Sequence, residues 1–500
     1  MMQNVFVYAA SILFSLLLAA FNAAAFDAER AKAFIEQHRS QWDIPGVAVA
    51  IVHRGETLLL DGFGVKQLGK SGRVDIETQF AIASNSKAFT CAALAMAVDD
   101  GLLNWDDAVI DHLPSFRLSD EYRTMDMTVR DLVAHKTGME GGNPAWWRTQ
   151  FSRNGLLERM RYLQVSQKIR SGYYYNNLMY LVAGMVLESA SGMTWDDYIQ
   201  SRIFGPLGMK HSTTSIAQFD DSSNIALPHA FRRGDDTIEP TQWYDANHVG
   251  PAASVSSSAA DMAKWMKLLL AKGKAGDAQL VSEEQITEMQ TPQTILSTRS
   301  LNGIGRNADF HAYGMGHRMY EYKGLKYVEH GGHLVTFRSH VCLIPELEFG
   351  VTVLTNSETD YCEGMCYALC DLFLEQDGPD WMAVYLKQHQ DWRRRIKDDA
   401  QKRNDARIAD APASHPMKDY AGEYEHPLYG SFFVECNDDA LRYNFNQTPY
   451  FNGRLNHWHY DSFLLLPDLQ FRDEAIVQFQ LSADGSITEV GIDGAFYKKK

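Results

Sequence analysis

Hydrophobic and polar positions divide the chain into blocks of different period. "GVAVAIVHRGETLLLDGFGV", Gly46 to Val65, holds two apolar, β-branched runs around Arg54–Gly55 and predicts a β-hairpin. A mixed region follows to about Gln290, with amphipathic helical stretches at "TVRDLVAHKTG", "NLMYLVAGMVLESASG" and "SAADMAKWMKLLLAKG". Each opens near a Ser, Thr or Asn and closes near a Gly, as helix capping predicts. From Tyr313 the strand pattern returns in "YGMGHRMYEYKG", "LKYVEHGG", "LVTFRSHVCLIP" and "EFGVTVLTN", four consecutive antiparallel strands, before a helical stretch from Tyr361 to Gln376. Hairpin, helices, strands and helix, in that order, are satisfied by one sheet built from both chain ends with a helical region inserted.

Residues 379–412 are charged and helix-prone and end in Ala-Pro, the pattern of a linker helix. From about Met417 short alternating strands are separated by Gly, Asn and Asp turns, which predicts a small β-barrel or sandwich over 417–500.

Composition adds boundaries. Of 500 residues, 45% are hydrophobic and 22% charged, enough for a large core. The net charge of −16 argues against nucleic acid as a partner, because that would need a basic stripe. Val5 to Phe21 is nearly all apolar, and Ala23, Ala24 and Ala25 form a small-residue cleavage pattern before the charged "DAER". Residues 1–25 therefore read as a secretory signal peptide, which implies a periplasmic or secreted protein with no stable membrane insertion once cleaved. "MMQN" lacks the usual Lys or Arg, so an uncleaved membrane anchor stays open as the alternative. Six cysteines show no disulfide framework: Cys362, Cys366 and Cys370 recur every four residues and read as a packed helical stripe.

Chemistry enters at "IASNSKAFTCAALAM", Ile82 to Met96, where a lysine stands at the mouth of a segment built for burial. If Ser84 begins a helix, Lys87 lies one turn on, on the same face. An apolar surrounding lowers a lysine's pKa, and such a lysine can take the proton of a nucleophilic serine. The helix N-terminus adds positive potential for an oxyanion. Read alone, Ser84 could equally cap the helix while Lys87 reaches to water.

Two later fragments join it: Tyr175-Asn176-Asn177 before an amphipathic helix, and His330-Gly331-Gly332 at a strand. With "SNSK" they resemble the three motifs of the serine β-lactamase and penicillin-binding-protein superfamily, the middle one in the Tyr-x-Asn form of class C β-lactamases and their peptidase and esterase relatives. "DLVAHKTGM", "IFGPLGMKHS" and "PAASVSSSAADMAKW" are similar to flanking phrases of that group. The resemblance covers about 27–376 and implies an α/β fold of α+β type, a mainly antiparallel sheet flanked by helices with a helical subdomain. "YAGEYEHPLYG" and "HWHYDSF" resemble the lipocalin-like β-domain appended to CubicO-group serine hydrolases, which implies a small all-β barrel at 417–500.

The resemblance also implies roles. Ser84 is the acylated nucleophile. Lys87 sits between Ser84 and Tyr175, and Tyr175 is the general base with a lowered pKa. Asn177 binds Lys87 and the substrate amide, and the backbone N–H groups of Ser84 and His333 form the oxyanion hole beside His330 and Gly332. Each has a plainer explanation: aromatic packing for Tyr175, a helix cap for Asn177, close backbone approach for Gly331 and Gly332. His330-Gly-Gly departs from the Lys-Thr-Gly usual in β-lactamases, and a histidine is only partly charged near neutrality. Arg338 is a candidate for the missing charge. Trp146, Trp147 and Arg148 fall between the motifs, where cleft lining and core packing explain them equally, and they stay outside the expected site. His457 and His459 alternate on a strand without a matching Cys or carboxylate set, so neither metal nor other cofactor is expected.

The expected activity is hydrolysis of an amide or ester in a small-molecule or peptide substrate, first as a peptidase on D-amino-acid or small peptide substrates. A carboxylesterase, a β-lactamase of the same fold and a slowly acylating binding module without turnover are the alternatives. A homo-oligomer through the C-terminal domain is a further open reading.

Overall fold

The computed structural model describes residues 26–232, 237–306, 308–469, 474–492 and 494–500. The signal peptide expected over 1–25 lies outside these residues.

Gly46–His53 (β1) and Glu56–Gly64 (β2) form the expected hairpin. Arg54 and Gly55 both have positive φ, 48° and 79°, the turn geometry that matches the right-handed twist of paired strands. The sheet is completed by Thr294–Ile295 (β3), His311–Tyr313 (β4), Arg318–Tyr322 (β5), Leu325–Leu334 (β6), Phe337–Ile344 (β7) and Phe349–Thr355 (β8). Its order is β2-β1-β8-β7-β6-β5-β4-β3, and every neighbouring pair is antiparallel. The two ends of this region meet where β1 pairs with β8, Val47 opposite Thr355.

Both faces of the sheet are covered, which is why β1 reads as a continuous apolar run. Val47, Val49 and Ile51 join a core with helices Ala28–Gln41 (α1) and Tyr361–Leu374 (α5). Ala48, Ala50 and Val52 join the opposite core with Ser86–Asp99 (α2), Asn177–Ser191 (α3) and Ala259–Leu270 (α4). Residues Ser86 to Ala97 of α2 are all buried, and its many alanines let it run through the centre of that core. The predicted N-caps are present: Thr128, Asn176 and Ser258 accept from the first turns of their helices. Of the expected closing glycines only Gly192 caps its helix, ending α3 at φ 70°, while the other two helices end at Val133 and Leu270, short of Gly138 and Gly273.

Cys362, Cys366 and Cys370 lie on the buried face of α5 against Cys342 of β7, packed as small apolar groups. Trp381–Asp405 (α6) lies inside the charged 379–412 stretch, and its first half is anchored. Trp381, Met382, Tyr385 and His389 are buried against the α5 side, and the charged remainder is solvated.

Eight strands from Gly422–His426 to Ala495–Lys499 close into a barrel with its own aromatic core, including Tyr420, Tyr424, Phe432, Phe463 and Phe479. Closure leaves no strand edge to template aggregation. The His457 and His459 rings have structural partners, the Tyr460 carbonyl and the Ile408 N–H. Among the described residues no group of three His, Cys, Asp or Glu side chains is placed to hold a metal ion, and no helix is long and apolar enough to cross a membrane.

Candidate active site

Ser84 lies in a 3-10 turn, Ala83–Asn85, that leads directly into α2. Ala83 is fully buried with φ 51°. This conformation costs an L-residue about 1–2 kcal/mol and persists only where the surroundings enforce it. It turns the chain sharply and presents Ser84 to a cleft of about 540 Å³. Neither Ser84 nor Asn85 makes a side-chain cap bond, so capping does not explain the serine.

Two side chains converge on the hydroxyl. Tyr175 Oη lies 2.7 Å from Ser84 Oγ, and Lys87 Nζ lies 3.1 Å from it. Lys87 Nζ also lies 2.7 Å from Asn177 Oδ1 and 2.9 Å from the Ala252 carbonyl. The serine oxygen thus stands between lysine and tyrosine, which corrects the expectation of Lys87 between Ser84 and Tyr175. The nitrogen instead faces the ring of Tyr175, 4.8 Å from its centroid. The helix cap expected as the plainer explanation of Asn177 falls to its neighbour: Asn176 Oδ1 accepts from Met179 N–H, which leaves Asn177 for the lysine.

The third motif sits on β6. Gly332 presses against the serine turn: an added Cβ would lie 2.1 Å from the Ile82 carbonyl oxygen and 2.2 Å from Ser339 Oγ. Ser339 Oγ donates to that same carbonyl at 2.7 Å and accepts from Asn85 at 2.8 Å, so the sheet and the turn are locked together. Gly332→Ala is expected to cost about 1–3 kcal/mol of stability, because the clashing atom is backbone. Gly331→Ala meets His340 Nδ1 at 3.4 Å and the Ser339 carbonyl oxygen at 3.9 Å, both ordinary contacts, and is expected to stay near wild type in the same denaturant titration.

Burial decides the charges. Lys87 is completely buried, and desolvation, then the nearby Arg318, hold its pKa well below the ordinary 10.5. Burial raises the Tyr175 phenol despite its bond to Ser84. The expected lowered tyrosine is therefore corrected: both groups are desolvated, which favours neutral amine and neutral phenol. His330 is also buried, and desolvation with Arg318 and Lys87 nearby lowers its pKa well below 6.5. Its Nδ1 lies 2.7 Å from the Gly331 carbonyl and Nε2 3.2 Å from Tyr313 Oη, so the neutral ring donates through Nδ1 and accepts at Nε2. The partial protonation expected of His330 near neutrality is replaced by a neutral ring.

The His333 side chain is half exposed, lies 2.9 Å from the Val335 carbonyl and 3.4 Å from Glu358, and lines the cleft. Arg338 lines the cleft 3.5 Å from Glu358. Sequence reasoning missed Arg318, which lines the same cleft from β5. Its guanidinium stays charged at any working pH. No motif marked it: the strand register, Arg318 opposite Glu329, brings it beside His330. It also missed His135, fully buried with φ 55°, whose ring packs 4.5 Å from Tyr175 and whose Nδ1 accepts from Asn176 N–H. Trp146, Trp147 and Asn143 also line the cleft. A larger cavity, about 1260 Å³, lies between α1 and α5 and contains none of the three-motif side chains.

A buried amine, a phenol and a hydroxyl in one chain can move a proton from serine as it attacks a carbonyl. Residues 31–363 match the Beta-lactamase family, and residues 406–499 match a domain of unknown function, DUF3471. The unguisins hydrolase ungD of Aspergillus violaceofuscus is 26% identical over 451 residues, covering 82% of this chain and 77% of the relative. Protein flp of Staphylococcus aureus strain MW2 is 25% identical over 365 residues, 71% of this chain and 68% of the relative. The octameric penicillin-binding protein homologue of Pyrococcus abyssi has the same fold, with a TM-score of 0.62 at 19% identity over 95% of this chain and all of that one.

Proposed function

The chain belongs to the Beta-lactamase family, and from that premise we propose that it is a serine hydrolase that cleaves an amide or ester through an acyl-enzyme on Ser84. The observation that carries the reading is the short contact of one hydroxyl with both Tyr175 and Lys87, 2.7 Å and 3.1 Å, at the cleft. The hydrolase name of the Aspergillus relative supports it.

Hydrogen-bond counting gives the proton inventory. A neutral amine has two N–H groups and one lone pair. The Asn177 and Ala252 oxygens can only accept, so they take the two N–H groups. The lone pair is left for the Ser84 hydroxyl, which itself accepts from Tyr175 O–H. Lys87 then takes the Ser84 proton as the oxygen attacks, Tyr175 gives its phenolic proton to the leaving group, and the Lys87 ammonium replaces that proton on Tyr175. The oxyanion falls to the backbone N–H groups of Ser84 and His333. Water repeats the sequence to release the acyl group.

Substrate class follows from charge. A neutral His330 does not attract a carboxylate as a lysine would, which supports peptidase and esterase activity ahead of β-lactamase activity. Arg318 lines the cleft as a permanent cation, paired at 3.8 Å with the buried Glu329. Its remaining N–H groups support small peptides, D-amino-acid peptides among them, as first substrates, with carboxylic esters second. Export through the apolar segment at 1–25 and a homo-oligomer belong to the same proposal, the latter supported by the octameric Pyrococcus abyssi relative.

The test is a fluorophosphonate with peptide mapping, followed by D- and L-dipeptides with free and amidated C-termini. One adduct on Ser84 and turnover at least tenfold faster on free-carboxylate peptides are expected. A folded protein that takes no adduct sinks the acyl-enzyme. A stable adduct with no turnover of any ester or peptide would favour a binding module instead.

A further inference from the structure

The barrel does not hang free of the catalytic part. Its turn at Pro427–Gly430 is inserted there: Leu428 is 1% exposed and belongs to the catalytic core, and Arg159 donates to the Pro427 carbonyl. Gly430 packs on Phe151, with room for no side chain: an added Cβ would lie 3.1 Å from the ring and 2.5 Å from Gln447. Gln150 N–H donates to the Gln447 carbonyl at 2.7 Å. The Arg148 guanidinium is held between two rings, its carbon 5.0 Å from the centroid of Tyr244 on the catalytic side and 3.3 Å from that of Tyr450 on the barrel.

Apart from Arg159, these contacts fall on Arg148, Gln150 and Phe151, directly after the tryptophans that line the cleft. Trp146 and Trp147 meet edge to face at 5.4 Å, and Trp147 lies 5.3 Å from Tyr244. Arg148 has φ 56°. A non-glycine residue keeps that left-handed conformation only where its surroundings over-determine it. Tyr244 supplies part of the restraint, through its hydroxyl accepting Arg148 N–H at 2.6 Å, Trp147 lies 5.9 Å from the guanidinium carbon, and the barrel adds the Tyr450 ring.

We propose that the C-terminal barrel is a specificity element of the cleft: through Tyr450 and Gln447 it holds the 146–151 strap, and so fixes a Trp146–Trp147 wall that receives an aromatic or large aliphatic substrate group. The inference rests on the acyl-enzyme reading. Tyr450 and Arg148 are positioning residues, acting on the wall without touching the reacting atoms. Loss of the Tyr450 ring removes the outer face of the stack, lets Arg148 relax, and loosens the wall.

The experiment compares 4-nitrophenyl acetate with 4-nitrophenyl phenylacetate on the full chain. Tyr450→Ala should raise KM for the phenylacetate about five- to tenfold, the range of one cation–π contact. KM for the acetate and kcat for both esters should stay within twofold. Tyr450→Phe should restore wild-type KM because the ring is kept. Arg148→Lys should give the same selective rise, and the double variant no more than either alone, since both break one stack. A Tyr450→Ala that labels with fluorophosphonate like wild type but keeps its ester selectivity, or changes both esters alike, overturns the barrel's role and leaves the acyl-enzyme standing. A Tyr450→Phe as impaired as Tyr450→Ala also overturns it. Wild type that takes no fluorophosphonate and cleaves neither ester overturns both.

Discussion

Ser84→Ala is expected to lower kcat/KM for any cleaved ester or peptide on the order of 10^5-fold and to abolish the fluorophosphonate adduct. The size follows from what the methyl group removes. No other hydroxyl touches both Lys87 and Tyr175 among the described contacts, so no neighbour can take the bond to carbon. The change should leave the fold intact. Tyr175 loses one acceptor, worth about 1 kcal/mol, while Lys87 keeps Asn177 and the Ala252 carbonyl. A shift of a few degrees in Tm with catalysis gone is the expected pair of results. Residual kcat/KM within tenfold of wild type would mean that another group is acylated.

Lys87→Met should lower kcat/KM by about 10^2–10^4, the usual contribution of a positioned proton acceptor. The pH dependence distinguishes this role from packing. In the folded protein burial holds the Lys87 pKa well below the 10.5 of the free side chain. The amine becomes a base as pH rises through that lowered value, so the acid limb of kcat/KM should disappear in Lys87→Met. Stability carries the same signature. Between the folded value and about 10.5 the unfolded chain binds the extra proton, so unfolding free energy rises with pH across that window. Below the folded value the full cost of a buried ammonium is present. Lys87→Met should flatten this rise, although losing the bonds to Asn177 and Ala252 costs about 1–3 kcal/mol at every pH. An acid limb retained at the same pH in Lys87→Met would assign the base to another group.

Local sequence carried much of this protein because its signals are short-range. Turn and cap residues such as Arg54-Gly55, Asn176 and Gly192 act within four positions, so the hairpin, α3 and their ends were legible from composition and period. The Ser-x-x-Lys spacing likewise follows from one helical turn. Three motifs in order carried the fold and a set of candidate residues through resemblance. What sequence could not carry was anything that depends on two distant segments sharing one dielectric. Tyr175 was expected to have a lowered pKa beside a cation, but burial of both groups reverses that, since desolvation penalises the phenolate and the ammonium together. Arg318 entered the cleft only through strand register, and Trp146 and Trp147 became a wall only through the chain's path. The barrel's grip on Arg148 joins residues 302 positions apart, and no period or motif encodes it. The sequence by itself determined the elements and the chemical groups. Tertiary structure decided their charge states, their mutual distances and which of them face the cleft, because those depend on solvent exclusion and long-range packing.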